Sequence, residues 1–352
     1  MTDSLLSLSR TADGRSEWVF SAPYHVRAAG TGKGKGMFAA RDLELGERIL
    51  AERPLARWTV HHGESRESRL QSFATVVAGF TPAQQRAFFS LSQAEHISTG
   101  AERTAYATWV TNALPIDYEG STSSSDASAV FATICRINHS CRPNCMHEWN
   151  PALGMETIHA IRHIVAGEEL SISYLLPAGR QRAERQARLL EQFGFTCGCE
   201  LCALPVDART RSDACQRALG DLEPEHGLPL PDLLKRLDLR MTLMETEGMP
   251  LAWARPMLLH ALVETTRDKT PDGRARAKQL HGKAVDALRI SLGTDHPNYQ
   301  IIANFLQTVA KFDSEMGAFA TASSRFVTPA ISALEAPPAP PGHKGKKKQG
   351  KR

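Results

Sequence analysis

The spacing of apolar positions changes along the chain, and each change marks a different kind of element. Met1 to Ala22 are polar and mixed, without a sustained period, which predicts a loose lead-in. From Tyr24 to Leu55 short apolar runs around Val26, Met37-Phe38-Ala39 and Arg48 to Leu55 are separated by turn residues at Gly30 to Gly36 and Leu45-Gly46. Brief runs bounded by glycine predict the strands of a small twisted β-fold. The period then lengthens. Arg69 to Phe80 and Ala101 to Leu114 carry helical apolar spacing, and Thr81-Pro82 reads as an N-cap with proline at the first helical position before Ala83 to Leu91. Together these predict a helical insert over about 58–128, ending in a Ser-rich loop from Glu119 to Ser128. Val130, Ile134 and Ile137 again recur at helical spacing, which puts the polar stretch after them at a helix C-terminus.

Met155 to Ile161 and Glu169 to Leu175 read as strands joined by a turn around Ala166-Gly167. Because strand side chains alternate with period two, Leu170, Ile172 and Tyr174 share the inward face, while Ser171 and Ser173 face the other way. Gln181 to Phe193 reads as a helix stopped by Gly194. Cys215 to Phe326 is almost entirely helical in pattern, with breaks at Pro229/Pro231, Gly248 to Pro250, Pro271 to Gly273 and Gly293 to Pro297, and predicts helix pairs. Pro337 to Arg352 is Pro-rich, then Lys-rich; with nothing apolar to bury it predicts disorder.

Composition refines this picture in two places. The formal charge is +4, but Lys344, Lys346, Lys347, Lys348, Lys351 and Arg352 are six positives at one end, and removing them leaves −2. The basic character therefore belongs to a tail and not to a folded nucleic-acid-binding face. The N-terminus has no secretory pattern, and no stretch reaches the roughly 18 apolar residues of a membrane span, so the expected setting is the nucleus or cytoplasm, with no membrane contact. In such a reducing compartment seven cysteines, three of them in Cys197-Gly-Cys199-Glu-Leu-Cys202, read as metal ligands more readily than as disulfides.

The densest chemistry lies in Arg136-Ile-Asn138-His139-Ser140-Cys141-Arg142-Pro143-Asn144-Cys145. Asn138 and Ser140 suit backbone-bonded turns and Pro143 holds Arg142 extended, so the segment presents amides and thiols in a fixed shape; an Asn/Ser/Pro turn with one buried cysteine is the plainer alternative. The glycine loop Gly32 to Gly36 allows close backbone approach to a ligand, or is an ordinary hairpin loop. Three thiolates at 197, 199 and 202 need a fourth to complete a tetrahedral zinc.

Four motifs in order, Gly34-Lys35-Gly36-Met37-Phe38-Ala39-Ala40, the Asn138-His139 decapeptide, Gly167-Glu168-Glu169-Leu170-Ser171-Ile172-Ser173-Tyr174 and the cysteine cluster, resemble the SET-domain protein methyltransferases. The resemblance is closer to the branch of SMYD-type enzymes and their fungal relatives, and runs from about Pro23 to Cys202. It implies an α+β fold, with a β-rich SET domain at 23–177, a post-SET zinc segment at 178–204, a C-terminal α-helical, TPR-like domain at 205–330, and a lead-in (1–22) and tail (331–352) outside them. It implies a protein-lysine N-methyltransferase using S-adenosylmethionine, with Tyr174 as the catalytic tyrosine. Lys35, Gly36, Met37, Asn138, His139 and Phe195 would hold the donor, and Cys141, Cys197, Cys199 and Cys202 zinc. Cys145 is the rival fourth ligand, and Cys135 and Cys215 are expected to be buried free thiols. On the residues alone, Tyr174 could equally be a core tyrosine whose hydroxyl finds a backbone partner, and Phe195 a core ring after a helix stop. The sequence departs from the SMYD pattern between Leu55 and Arg69, where no cysteine/histidine array could form a MYND finger. The expected partner is a protein bearing a target lysine, with a chromatin or acidic partner for the basic tail, and the expected state a monomer. Two rivals are a catalytically silent SET scaffold and a zinc-stabilised nucleic-acid binder acting through the tail.

Overall fold

The computed structural model describes residues 6–10, 16–20, 22–30, 33–61, 63–94, 101–116, 125–175, 179–222 and 228–311. Gly32, the first part of the Ser-rich segment, Phe326 and the Pro/Lys tail lie outside the described residues. Where the N-terminus showed no period, β1 (Leu6–Arg10) and β2 (Ser16–Phe20) pair antiparallel with Leu6 opposite Phe20. Their alternation covers too few residues to stand out as a pattern.

The strand-rich part that follows comprises β3 (Tyr24–Ala28), β4 (Lys35–Ala39), β5 (Arg48–Glu52) and β6 (Ala56–His61). The insert supplies α1 (Arg66–Ala78), α2 (Pro82–Phe89), α3 (Ala101–Asn112), β7 (Leu114–Pro115) and β8 (Ser125–Val130). After it come β9 (Asn138–His139), β10 (Cys145–Asn150), β11 (Met155–Ala160) and β12 (Glu169–Ile172). They assemble into sheets of order β3-β4-β12-β9, β10-β11-β5 and β6-β8-β7, with β12 and β9 parallel. The strands around Ala166-Gly167 are therefore not a hairpin: β11 and β12 belong to different sheets. Their inner faces share a core of Met37, Ile134, Ile137, Ile158, Leu170 and Ile172, each at most 2% exposed. Each fully buried aliphatic side chain of this size contributes about 1.5–3 kcal/mol.

Local signals explain the insert. Thr81 and Gln84 form a reciprocal capping box, with Gln84 N–H donating to Thr81 Oγ1 at 3.3 Å and Thr81 N–H to Gln84 Oε1 at 3.0 Å. Trp58, Phe73, Phe88 and Trp109 then pack in tilted and edge-on pairs that bury the helices on β6, with Trp58 and Phe73 centroids 5.1 Å apart. The stretch lacking a MYND array is plain secondary structure: β6, then Ser65 capping α1 through Ser68 N–H at 3.1 Å.

The helix expected to lead into Asn138 does not form. Ser125–Val130 is a strand paired with β6, Val130 lying opposite Ala56, and only one turn of 3-10 helix, Ile134–Arg136, follows. Glu52 supplies the cap for that turn, its carboxylate accepting from Thr133 N–H at 3.0 Å and Ile134 N–H at 2.8 Å. Strand pairing to a residue far back in the chain outweighs a spacing that only resembles a helical one.

Beyond the sheets, α4 (Arg182–Phe193) ends at Gly194 with φ 75°, a left-handed cap that glycine adopts without steric cost. Helices α5 (Val206–Asp221), α6 (Leu230–Thr246), α7 (Arg255–Thr265), α8 (Pro271–Leu292), α9 (Pro297–Ala303) and α10 (Phe305–Lys311) surround a separate core of Leu219, Leu233, Leu237, Leu258, Leu262 and Leu288. This helical layer docks on β10 and β11 through Ile161, Ala252, Ile290 and Met146. Polar contacts fix the register: Arg255 to Glu148 at 2.9 Å, Arg48 paired with Asp295, and His296 Nε2–H to Trp149 O at 3.1 Å.

Candidate active site

The Asn138-His139 segment is held in place by its neighbour β12. Ser171 lies beside Asn138 and Ile172 beside His139 in parallel register, and Ser140 N–H continues the ladder to Ile172 O at 3.0 Å. Asn144, 1% exposed, ties the far end of the same segment back to β12. Its Nδ2 donates to Glu168 Oε1 and Glu169 O, both at 2.9 Å, and its Oδ1 accepts from Ser171 N–H at 2.7 Å. The decapeptide is thus tied at both ends to β12, an inner strand of its sheet, which gives a rigid turn.

Across the sheet, β4 brings Lys35, Gly36 and Met37 to the same place. The Met37 side chain is fully buried in the core, so only its main chain remains for a ligand. At Gly36 any Cβ would stand 2.8 Å from Glu169 Oε1 and 2.9 Å from Asn138 Nδ2, so the backbones and side chains here meet only because glycine has none. Asn138 Nδ2 donates to Glu169 Oε1 at 2.7 Å and to Lys35 O at 3.2 Å, and Lys33 pairs with the other Glu169 oxygen at 3.3 Å.

Tyr174 lies two residues past the end of β12 and keeps the inward direction of Leu170 and Ile172. Its ring stands 4.9 Å from Phe193, 5.3 Å from His139 and 6.4 Å from Phe195, centroid to centroid. Burial, reinforced by the charges of Cys135 and Glu169, pushes its pKa above the ordinary value, so it is a phenol at neutral pH. The hydroxyl donates to Ile137 O at 2.8 Å, which leaves the oxygen lone pairs free to accept. His139 is held neutral: burial lowers its pKa to about 4. Tyr174 N–H donates to its Nδ1 at 3.0 Å, so the ring proton sits on Nε2, 3.3 Å from Cys141 Sγ.

The sulfurs of Cys141, Cys197, Cys199 and Cys202 all lie within 4.8 Å of one another. Tetrahedral zinc–thiolate bonds of about 2.3 Å place ligand sulfurs roughly 3.8 Å apart; Cys141 Sγ is 3.5 Å from Cys202 Sγ and 4.0 Å from Cys197 Sγ. The four residues can therefore chelate one metal ion. Mutual hydrogen bonding makes the thiols share protons unequally, lowering Cys199 and Cys202 and raising Cys141 and Cys197. Buried Arg185 on α4 sits against Cys141 and Cys202 as a countercharge. Gln186 exchanges two 2.8 Å hydrogen bonds with the Cys197 main chain, so the helix carries the thiol loop.

Cys145 is not part of this group: it lies in the sheet core, 1% exposed, with burial pushing its pKa up to about 12. Cys135 and Cys215 are likewise free thiols away from the cluster, Cys135 donating to Asn112 O at 3.2 Å. The sequence alone does not single out Glu169, Asn144, Phe193, Arg185 or Gln186. Glu169 lies within the Gly167–Tyr174 motif and Phe193 ends a helix; nothing local distinguishes either.

Residues 34–175 match the family model described as "SET domain". Among curated proteins the chain is similar to the histone-lysine N-methyltransferase set5 of Schizosaccharomyces pombe, 35% identical over 172 residues, covering 49% of this chain and 48% of that one. It is similar to SET5 of Scheffersomyces stipitis, 37% identical over 24% of this chain and 18% of the relative. It is also similar to the human histone-lysine N-methyltransferase SMYD3, 39% identical over 21% of this chain and 16% of the relative. The chain spans about half the length of the first of these curated relatives and under a fifth of the other two.

Proposed function

We propose that the chain is an S-adenosylmethionine-dependent protein-lysine methyltransferase of the SMYD-like branch. The observation that carries this reading is the meeting of Gly36, Asn138, His139, Tyr174 and Phe195, drawn from two strands, the segment after β12 and the loop after α4, at one end of the parallel pair β9-β12. S-adenosylmethionine, when bound, supplies an electrophilic methyl group on a sulfonium. The main chain of Lys35, Gly36 and Met37 and the Asn138 carboxamide would hold its amino-acid end, and the His139 main chain and the Phe195 ring its adenine. Tyr174, its proton committed to Ile137 O, accepts a hydrogen bond from the incoming lysine amine and orients the nitrogen lone pair. A lysine with an ordinary pKa of about 10.4 has to arrive neutral, and walls made of Phe193, Phe195 and Tyr174 disfavour the ammonium. His139 is not the base, since both ring nitrogens are engaged.

In this reading the four cysteines hold a structural zinc with no open position, and the helical layer, taken as TPR-like pairs, walls the substrate channel. The substrate is a protein lysine, and the place of action the nucleus or cytoplasm. One observation favours the silent-scaffold reading: a hydroxyl bonded to a backbone carbonyl is also what a structural tyrosine does. Incubating the chain with isotopically labelled donor and a cell lysate decides between them. Labelled lysine in any protein supports transfer, and its absence from a preparation that binds S-adenosylhomocysteine supports the scaffold.

A further inference from the structure

The Asn138 carboxamide faces two groups that only accept. Its Nδ2 lies 2.7 Å from Glu169 Oε1 and 3.2 Å from Lys35 O. Turning the amide over would bring its oxygen against a carboxylate and a carbonyl, so only one of the two orientations is allowed. With Nδ2 engaged twice, Oδ1 is the acceptor left for a ligand. Glu169 is itself held: its second oxygen takes Lys33 Nζ at 3.3 Å, and its side chain is 23% exposed. The absent Cβ of Gly36 makes room for the pair, which a methyl group would meet at 2.8 and 2.9 Å.

We propose that Glu169 is a positioning residue for donor binding. It holds Asn138 so that Oδ1 is presented to the ammonium of the donor's methionine moiety, and it prevents the flipped amide from turning an N–H donor toward that ammonium. Glu169 acts through Asn138. The inference rests on the methyl-donor reading above and adds the residue that sets the polarity of the ammonium subsite.

The test is calorimetric binding of S-adenosylhomocysteine, which carries the same ammonium, to the full chain. Glu169→Ala should weaken binding by about ten- to a hundredfold, the cost of losing a hydrogen bond to a charged group. Glu169→Gln keeps an acceptor oxygen for Asn138 Nδ2 and loses only the ion pair; it and Lys33→Ala should stay within about threefold of the parent, as exposed pairs contribute little. Asn138→Ala should match Glu169→Ala, and the double variant should be no worse than either, because the two act as one unit. Three results overturn the proposal while the parent binds: unchanged affinity in Glu169→Ala, additive losses in the double variant, or a Glu169→Gln as weak as Asn138→Ala. The last comparison stands even if Glu169→Ala misfolds. A parent chain that does not bind S-adenosylhomocysteine at all overturns the methyl-donor reading itself.

Discussion

Replacing Cys199 by serine removes one of four sulfurs that fit a single tetrahedral ion, and its effect should reach the donor pocket. A structural zinc contributes roughly 10–16 kcal/mol of apparent binding energy to ordering its ligands. That is comparable to the whole stability of a domain, about 5–15 kcal/mol. Cys141 lies two residues from His139, and Cys197 two residues from Phe195, whose ring stands 6.1 Å from that of His139. The ion would thus fasten one wall of the adenine position to the other. Without it the loop after Gly194 keeps the Gln186 and Arg182 hydrogen bonds but has to be re-ordered whenever donor binds. Ordering a single backbone residue costs about 1–2 kcal/mol, so S-adenosylhomocysteine affinity should fall by about tenfold or more. The core of α5–α10 contains none of the four ligands, and helical circular dichroism should largely persist. The assay is metal analysis with calorimetry on parent and variant: about one zinc per chain in the parent, and a joint loss of metal and donor affinity in Cys199→Ser. No zinc in freshly purified parent, or unchanged donor affinity after its complete removal, would refute the reasoning.

Tyr174→Phe should abolish nearly all methyl transfer while S-adenosylhomocysteine affinity stays within about threefold, because one hydroxyl is lost and the ring packing remains; full activity in that variant would remove Tyr174 from the chemistry. Gly36→Ala should destabilise the fold by about 1–3 kcal/mol, as overpacking does, since its Cβ would meet Ala29 Cβ and Glu169 Oε1 at 2.8 Å; a denaturation midpoint equal to the parent's would contradict that crowding. His159 gives a pH signature. Burial, with Arg48 beside it, holds its pKa down to about 3, whereas an unfolded imidazole takes its proton at about pH 6.5. The unfolded state therefore binds more protons between these values, so the stability His159 confers is complete above about pH 6.5 and is lost as pH falls toward 3. Chemical denaturation across that range should give a shallower slope in His159→Gln, and identical slopes would sink the assignment.

The features legible in the sequence are those carried by residues close together in the chain. Thr81, Pro82 and Gln84 announce α2 within four residues; Gly194 announces the end of α4; Cys197, Cys199 and Cys202 announce a metal-binding loop. The glycine at 36 and the Asn138-His139 pair were legible as motifs, although nothing local says that they touch. What was hidden depends on distant register. Val130 is a strand residue because Ala56 lies beside it, and no window around Val130 contains that information. Glu169 bonds Asn138 from 31 residues away, and Asn144 bonds the Glu168 side chain from 24. Choosing Cys141 over Cys145 as the fourth member of the thiol group likewise needs the fold: the two are four residues apart, but Cys141 packs with the cysteines of the loop after α4 while Cys145 is buried in the sheet core.

The proposed function is transfer of a methyl group to a protein lysine with Tyr174 in the site. Mass spectrometry of lysate proteins incubated with the full chain and deuterated-methyl donor tests it most directly, with Tyr174→Phe run in parallel. Deuterated methyl groups should appear on lysine side chains of one or a few proteins with the parent chain and be almost completely lost with Tyr174→Phe despite retained S-adenosylhomocysteine binding. Donor binding by the parent with no labelled lysine in any protein, or equal labelling by both chains, would contradict it.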